Sequence, residues 1–279
     1  MKKRFIPRLI ALLVLTVLFV CLYPGIAEEK TDFPAWEYPL SPEILVDRRG
    51  YLTLTNQAEL LDKSYSPDDL VDITARCAVK GQLREEANNA LQMMFDAAEA
   101  DGYKLYVKSS YRSYKTQNTM YYSRLEKVGY DDGFVAFPGS SDHQTGLGVD
   151  ILNYTWTKKD GMNANFAKEA EAQWMAEHCY EYGFVIRYME DKEDVTGIKY
   201  EPWHLRYVGP ETAAYMKEKH FSLEEFTQDW RAYVADWESR GGNLDLFVGQ
   251  RALPDPVIIV GFSDDQEPDI CIYYPMEEE

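Results

Sequence analysis

Two short stretches, distant in the chain, constrain its fold more than any other feature. They are Ser140-Ser141-Asp142-His143-Gln144-Thr145-Gly146-Leu147-Gly148-Val149-Asp150 and Glu201-Pro202-Trp203-His204, and between them they hold two of the chain's four histidines. Gly146 and Gly148 lie between His143 and Asp150. They permit a tight turn and a close backbone approach, which lets these two residues converge on one ion. Glu201 and His204 do not form a helical zinc pair, because Pro202 opposes a helix interior there. In a flat strand, positions so spaced face opposite sides, so a bend near Pro202 has to bring both to the same point. The candidate site is a mononuclear zinc centre, with His143, Asp150 and His204 as ligands and Glu201 as acid/base. Three protein ligands leave the fourth zinc position open, as hydrolytic sites require. HExxH, GxGxxG and GKS/T are all absent, so neither a zincin helix nor a phosphate loop is indicated. Spacing alone leaves the plain alternative open: a surface glutamate, and an ordinary polar histidine beside a core tryptophan.

The 279 residues suffice for one domain with appendages. Lys2, Lys3, Arg4 and Arg8 precede an apolar run from Leu9 to Tyr23, and Gly25-Ile26-Ala27 follows. This basic, apolar, small order is that of a secretory signal peptide over residues 1–27, and the run is short for a full membrane span. The expectation is an exported protein on the extracellular or cell-wall face of the membrane, either cleaved or held by an uncleaved N-terminal anchor. Any membrane contact is expected only through that segment. Cleavage after Ala27 moves the formal charge from −18 to about −22, since four basic residues leave. So acidic a chain lacks the positive field that binding phosphate backbones needs, so no nucleic-acid partner is expected. Cys77, Cys179 and Cys271 form no CxxC and are odd in number, which allows one disulfide or three free thiols.

Residues 28–44 carry Pro34, Pro39 and Pro42 and read as a tether. Tyr51 to Thr55 alternates like a strand, and Ser66-Pro67-Asp68-Asp69-Leu70 looks like a helix or turn start. Leu83 to Ala100 is helical, with a core stripe of Ala87, Ala90, Leu91, Met94, Phe95 and Ala98. Strands are expected at Tyr103–Ser109, Val149–Leu152 and Phe184–Tyr188. A second helical stripe runs from Phe166 to Gly183, a closing helix from Glu211 to Lys219, and another helix from Ser222 to Arg240. Val257–Val260 and Ile270–Tyr274 look like two short strands. Helices and strands mixed without a steady βαβ rhythm argue for α+β.

Ser141-x-His143-x-x-Gly146-x-Gly148-x-Asp150 followed by Glu201-x-Trp203-His204 resembles the SxHxxGxAxD and ExWH signatures of VanY-type D-alanyl-D-alanine carboxypeptidases, of the LAS group of zinc peptidases. Ser110-Tyr111-Arg112-Ser113-x-x-x-Gln117 and the run from Thr196-Gly197 to Val208-Gly209 match as well. Gly148 stands where the pattern usually has Ala, a change expected to add flexibility only. The resemblance spans Leu45 to Lys219. It implies a zinc D,D-carboxypeptidase domain over residues 45–220, of hedgehog/D,D-peptidase-like fold, with an antiparallel sheet and flanking helices. The remainder, 221–279, is an extension of unknown role.

Carried over residue by residue, the resemblance implies Zn2+ on His143, Asp150 and His204. It makes Glu201 the base that takes the proton from zinc-bound water and returns it to the leaving amine. Arg112 matches the catalytic and substrate-binding arginine, and Gln117 and Ser141 match pocket positions that bind the substrate carboxylate. The implied partners are peptidoglycan stem peptides, from which the terminal D-alanine is removed. L,D-carboxypeptidase or D,D-dipeptidase action shares these motifs, and a non-catalytic wall-binding module would share the fold. Trp203 is expected to pack and to fix the His204 ring. Arg187 and Tyr188 sit near the pocket-facing strand, and His178 and His220 are expected to be structural.

Overall fold

The computed structural model describes residues 32–252 and the backbone of two later strands, Val257–Phe262 and Pro268–Tyr273. The segment read as a signal peptide or anchor lies outside the described residues. The described chain forms two compact units. One is Glu37–Asp236, which begins before residue 45 and ends beyond residue 220; the other joins the residues up to Trp36 with those from Trp237 onward.

The larger unit is built on a four-stranded antiparallel sheet of β3 (Leu105–Ser109), β4 (Gly148–Asn153), β6 (His204–Tyr207) and β5 (Phe184–Ile186), in that spatial order. A separate two-stranded ribbon pairs β1 (Leu70–Asp72) with β2 (Gln82–Arg84). Helix α1 (Glu85–Ala100) buries Ala87, Leu91, Met94, Phe95 and Ala98, the stripe read from the sequence. They join Leu105, Val107, Val149, Ile151 and Leu205 from the sheet in one core. Asn88 also lies on the buried face, and its Oδ1 accepts the Thr74 N–H at 3.1 Å. Helix α2 (Tyr114–Val128) is capped by Ser113 and stopped by Gly129 in the left-handed region. Mixed helices and an antiparallel sheet make this the expected α+β domain.

Three local expectations are corrected. Tyr51 to Thr55 forms no strand. The Tyr51 and Thr53 carbonyls accept from Arg206 Nη2 at 3.0 and 2.7 Å, and the Thr55 carbonyl accepts from Arg187 Nη2 at 3.2 Å. Two buried arginines thus satisfy the backbone that a ladder would otherwise pair. Of the helix or turn expected from Ser66, no helix forms; the chain bends at Asp68 and runs into β1. The stripe from Phe166 to Gly183 is not one helix but a 3-10 turn (Ala164–Lys168), α3 (Ala170–His178) and a second 3-10 turn (Cys179–Tyr182). The break falls at Glu169, whose backbone is extended and whose carboxylate accepts from Trp156 Nε1 at 2.9 Å and Asn153 Nδ2 at 3.1 Å.

Helices α4 (Pro210–Lys219) and α5 (Leu223–Ser239) appear where the sequence placed them. Cys77 and Cys179 are free thiols, and burial pushes Cys179 up to about 12; the Cys271 side chain lies outside the described residues. In the smaller unit Trp237 meets Trp36 at 5.3 Å and Phe247, from α6 (Leu244–Ala252), at 5.3 Å between ring centroids. Its Nε1 donates to the Pro34 carbonyl at 3.1 Å. The two strands expected near the C-terminus pair as an antiparallel hairpin, β7 (Val257–Phe262) with β8 (Pro268–Tyr273).

Gly148 does more than add flexibility. A Cβ there would lie 2.9 Å from the Asp142 carbonyl carbon and Cβ and 3.1 Å from the His143 nitrogen. The missing side chain lets β4 carry the His143 turn directly on its surface. Gly148→Ala therefore has to displace that backbone, at a cost of about 1–3 kcal/mol. Thermal unfolding of the variant should show the loss; an unchanged melting temperature would mean that the turn has room to retreat.

Candidate functional site

His143 lies in a 3-10 turn, Asp142–Thr145, closed by Gly146 at φ +69. Thr145 Oγ1 donates to the Asp142 carbonyl at 2.6 Å and accepts the Leu147 N–H at 3.0 Å, which pins the turn. His143 Nδ1 sits 2.8 Å from the Ser110 carbonyl. A carbonyl only accepts, so Nδ1 carries the proton and Nε2 is left bare. That Nε2 lies 3.3 Å from Asp150 Oδ2.

Asp150 is set by the sheet. It stands opposite His204 in the β4–β6 ladder, on the other side from Ser109 of β3, where the register shifts. His204 Nδ1 lies 2.9 Å from Asp150 Oδ1. Glu201 reaches the site through the bend expected at Pro202: the His204 N–H bonds to the Glu201 carbonyl at 3.1 Å, with Pro202 at the second position of the turn. Glu201 Oε2 is then 3.8 Å from His204 Nδ1.

His143, Asp150 and His204 are all buried, and their candidate donor atoms lie within 4.8 Å of one another. Two imidazole nitrogens and one carboxylate converging in a dry site are a donor set that fits zinc. Burial, helped by the Arg112 charge, lowers His143 to about 4, so its lone pair is free at neutral pH. Burial alone would raise Asp150, but the two histidines outweigh it and hold the carboxyl far below its usual range. His204 is opposite in sense: burial pushes it down, yet the Asp142 and Asp150 carboxylates hold it up, at about 9. A cation at Nδ1 must therefore displace a proton. Burial, reinforced by Asp150, pushes Glu201 up to about 8 against the pull of His204 and Arg112. A carboxyl poised near neutrality is suited to taking a proton and giving it back.

These groups open on a cleft of about 160 Å³ whose walls include Arg112, Ser141, Tyr188, Met120 and Phe134. Arg112 Nη1 donates to Gln117 Oε1 and Nη2 to Ser109 Oγ, each at 2.8 Å, and Nη2 lies 3.9 Å from Asp150 Oδ2. Gln117 also donates from Nε2 to the Ala136 carbonyl at 2.6 Å. With both ends of its amide engaged by the protein, Gln117 orients Arg112. Ser141 is buried on the cleft wall. Trp203 packs in the core, whereas the ring against His204 is Tyr188, with centroids 5.0 Å apart. His178 pairs with Glu181 and His220 with Asp191, both away from the cleft. A larger pocket of about 310 Å³, lined by Cys179, Phe184 and Met216 among others, holds none of the candidate ligands.

Sequence reasoning missed what stands behind the ligands. Asp142, Arg187 and Arg206 are fully buried charges, with each arginine paired to Asp142. Their signal was weak: Asp142 lies at an unspecified position of the motif, Arg187 is read only as near the pocket-facing strand, and Arg206 only as part of a matched run.

Glu201 should weaken the fold it serves. Glu201 has a folded-state value of about 8, against about 4.3 in an unfolded chain. The unfolded state releases this proton more readily. Stability is therefore lost as pH rises from about 4.3, and the loss levels off above about 8. In chelator-treated protein at pH 7, Glu201→Gln should raise the melting temperature by a few degrees, roughly. The gain should vanish near pH 4. A melting temperature unchanged at both pH values would show that Glu201 is not held up by burial.

Comparison with known proteins agrees with this geometry. The VanY family profile, described as D-alanyl-D-alanine carboxypeptidase, matches residues 80–210. The D-alanyl-D-alanine carboxypeptidase of Enterococcus faecalis (strain ATCC 700802 / V583) is 36% identical over 211 residues, covering 72% of this chain and 69% of the relative. The solved LdcB LD-carboxypeptidase is similar with a TM-score of 0.59 and 36% identity, over 72% of this chain and 92% of its own. The vancomycin resistance D,D-pentapeptidase VanY of a VanB-type cassette, solved in complex with Zn(II), gives a TM-score of 0.52 and 30% identity, over 63% of this chain and 98% of its own. Identity at this level over more than two thirds of a relative, on a shared antiparallel framework, places the chain: it belongs to the VanY family of D-alanyl-D-alanine carboxypeptidases.

Proposed function

We propose that the protein is an exported zinc carboxypeptidase that removes the terminal D-alanine from peptidoglycan stem peptides. One observation carries the reading. The buried His143, Asp150 and His204 group, Glu201 and the guanidinium of Arg112 all face the same small cleft. Export rests on the order of residues 1–27 alone.

His143 through Nε2, His204 through Nδ1 and Asp150 through a carboxylate oxygen would hold the zinc. When bound, zinc supplies Lewis acidity at the scissile carbonyl and makes water more acidic. The chain's own groups do the rest. Glu201, beside the ligand set, takes a proton from the attacking water and delivers it to the departing amine of D-alanine. Arg112 is held rigid by Ser109 and Gln117. It offers a desolvated positive charge to the substrate's terminal carboxylate or to the oxygen that gains charge during attack. Met120 and Phe134 make the facing wall apolar, which suits a terminal residue bearing only a methyl group.

Similarity to the LdcB LD-carboxypeptidase, at 36% identity, favours a second reading on the same scaffold: cleavage before the D-alanine of a tetrapeptide. The two are separated by mass spectrometry of products from a stem pentapeptide and a tetrapeptide, incubated separately with the zinc-loaded protein. Loss of one alanine from the pentapeptide alone is the expected result. Loss from the tetrapeptide alone establishes the L,D reading, and release of alanyl-alanine a dipeptidase. Silence on both, with zinc bound, overturns a carboxypeptidase. Chelation should abolish turnover and zinc restore it, while Glu201→Gln should lower kcat by about a hundredfold or more. Arg112→Lys should act mainly on KM, because an ammonium cannot reproduce the guanidinium fork.

A further inference from the structure

We infer that Asp142 is a positioning residue for His204: its buried carboxylate fixes the ring with the proton on Nε2 and leaves Nδ1 for the metal. The device extends to Glu224 of α5, outside the segment matched by the family profile. The inference rests on the reading of His204 as a zinc ligand.

The two nitrogens of the His204 ring differ in company. Nδ1 points at Asp150 and Glu201. Nε2 is buried without a hydrogen-bond partner, and its neighbour Asp142 Oδ2 makes an ion pair with Arg187 Nε but no hydrogen bond. The two lie 3.9 Å apart, with Asp142 presenting an acceptor to the only ring nitrogen not aimed at the ligand cluster. A carboxylate behind a ligating histidine selects the tautomer and orients the ring.

Asp142 is itself immobilised. Its Oδ1 accepts from Thr55 Oγ1 at 2.7 Å and Arg206 Nη1 at 2.5 Å, and Arg187 Nε lies 2.8 Å from Oδ2. Arg187 in turn forks onto Glu224, Nη1 to Oε2 at 2.8 Å and Nη2 to Oε1 at 2.7 Å. Two cations and two anions balance in a dry interior. Arg187 has a second line to the ligand: its guanidinium lies 4.9 Å from the centroid of the Tyr188 ring that packs on His204. Buried ion networks are weak stabilisers, often matched by apolar packing. Placement directly behind a ligand gives this one a use that stability does not.

The test is zinc affinity by chelator competition on the full chain, with activity kept aside. Asp142→Asn should bind zinc about 10- to 100-fold more weakly than the unmutated protein. Glu224→Gln should shift affinity in the same direction by less. Glu225→Gln, on the same helix but bonded to Lys192 and the Ser222 backbone, should leave it unchanged. Unaltered affinity in folded Asp142→Asn overturns the inference, and a Glu224→Gln effect no larger than that of Glu225→Gln overturns its reach to α5. Should Asp142→Asn not fold, long-range nitrogen–proton NMR of the unmutated, zinc-loaded protein decides. A proton on Nε2 of His204 supports the inference and one on Nδ1 overturns it. Absence of zinc binding by the unmutated protein would remove the ligand reading and this inference with it.

Discussion

The pairing of β4 with β6 is the constraint on which the rest depends. Its register sets Asp150 opposite His204 and, two residues along, Gly148 opposite Arg206. Residues two apart in a strand share a face. The ligand pair and the glycine–arginine pair are thus adjacent rungs on one side of the sheet. The bare rung at Gly148 admits the turn that carries Asp142 and His143. From the same rung Arg206 bonds Asp142. A slip of one residue would turn both pairs to the other face and dismantle the site and its support together.

The same burial gives the site its chemistry and its instability. A carboxyl near Asp150, cut off from water, ionises reluctantly, which is what keeps Glu201 able to exchange a proton near neutrality. Asp150 avoids that fate because the two histidines beside it hold it ionised, whereas burial keeps His143 neutral, its Nδ1 proton given to the Ser110 carbonyl. Burial works against the Arg112 charge in the cleft and the Asp150 carboxylate beside it works for it, while Ser109 and Gln117 accept from its donors.

Much of this was legible in the chain. Glycine spacing, the proline between Glu201 and His204, and the helical stripe of Glu85–Ala100 are local signals, and each predicts a local geometry that the structure contains. Failures came where long-range partners override local pattern. Alternation from Tyr51 to Thr55 looks like a strand, yet its carbonyls are spent on Arg187 and Arg206, residues far along the chain. The Phe166–Gly183 stripe has helical period but is broken at Glu169, whose carboxylate bonds Asn153 and Trp156. Gly148 looked interchangeable with alanine because nothing in its own neighbourhood of sequence says that Asp142 lies on it.

The support of the site has a consequence for where the working unit ends. Thr55, Arg187 and Glu224 come from three separate parts of the chain, and two of them lie outside residues 80–210. Removing α5 would leave Arg187 and Arg206 sharing the single carboxylate of Asp142, and an uncompensated buried charge costs about 3–5 kcal/mol. Removing residues 51–56 would strip Arg206 of two backbone acceptors and Asp142 of Thr55. The motif residues are therefore necessary but not self-supporting. The compact unit Glu37–Asp236 holds Thr55, Arg187, Arg206 and Glu224 together, which the stretch in which the motifs reside does not.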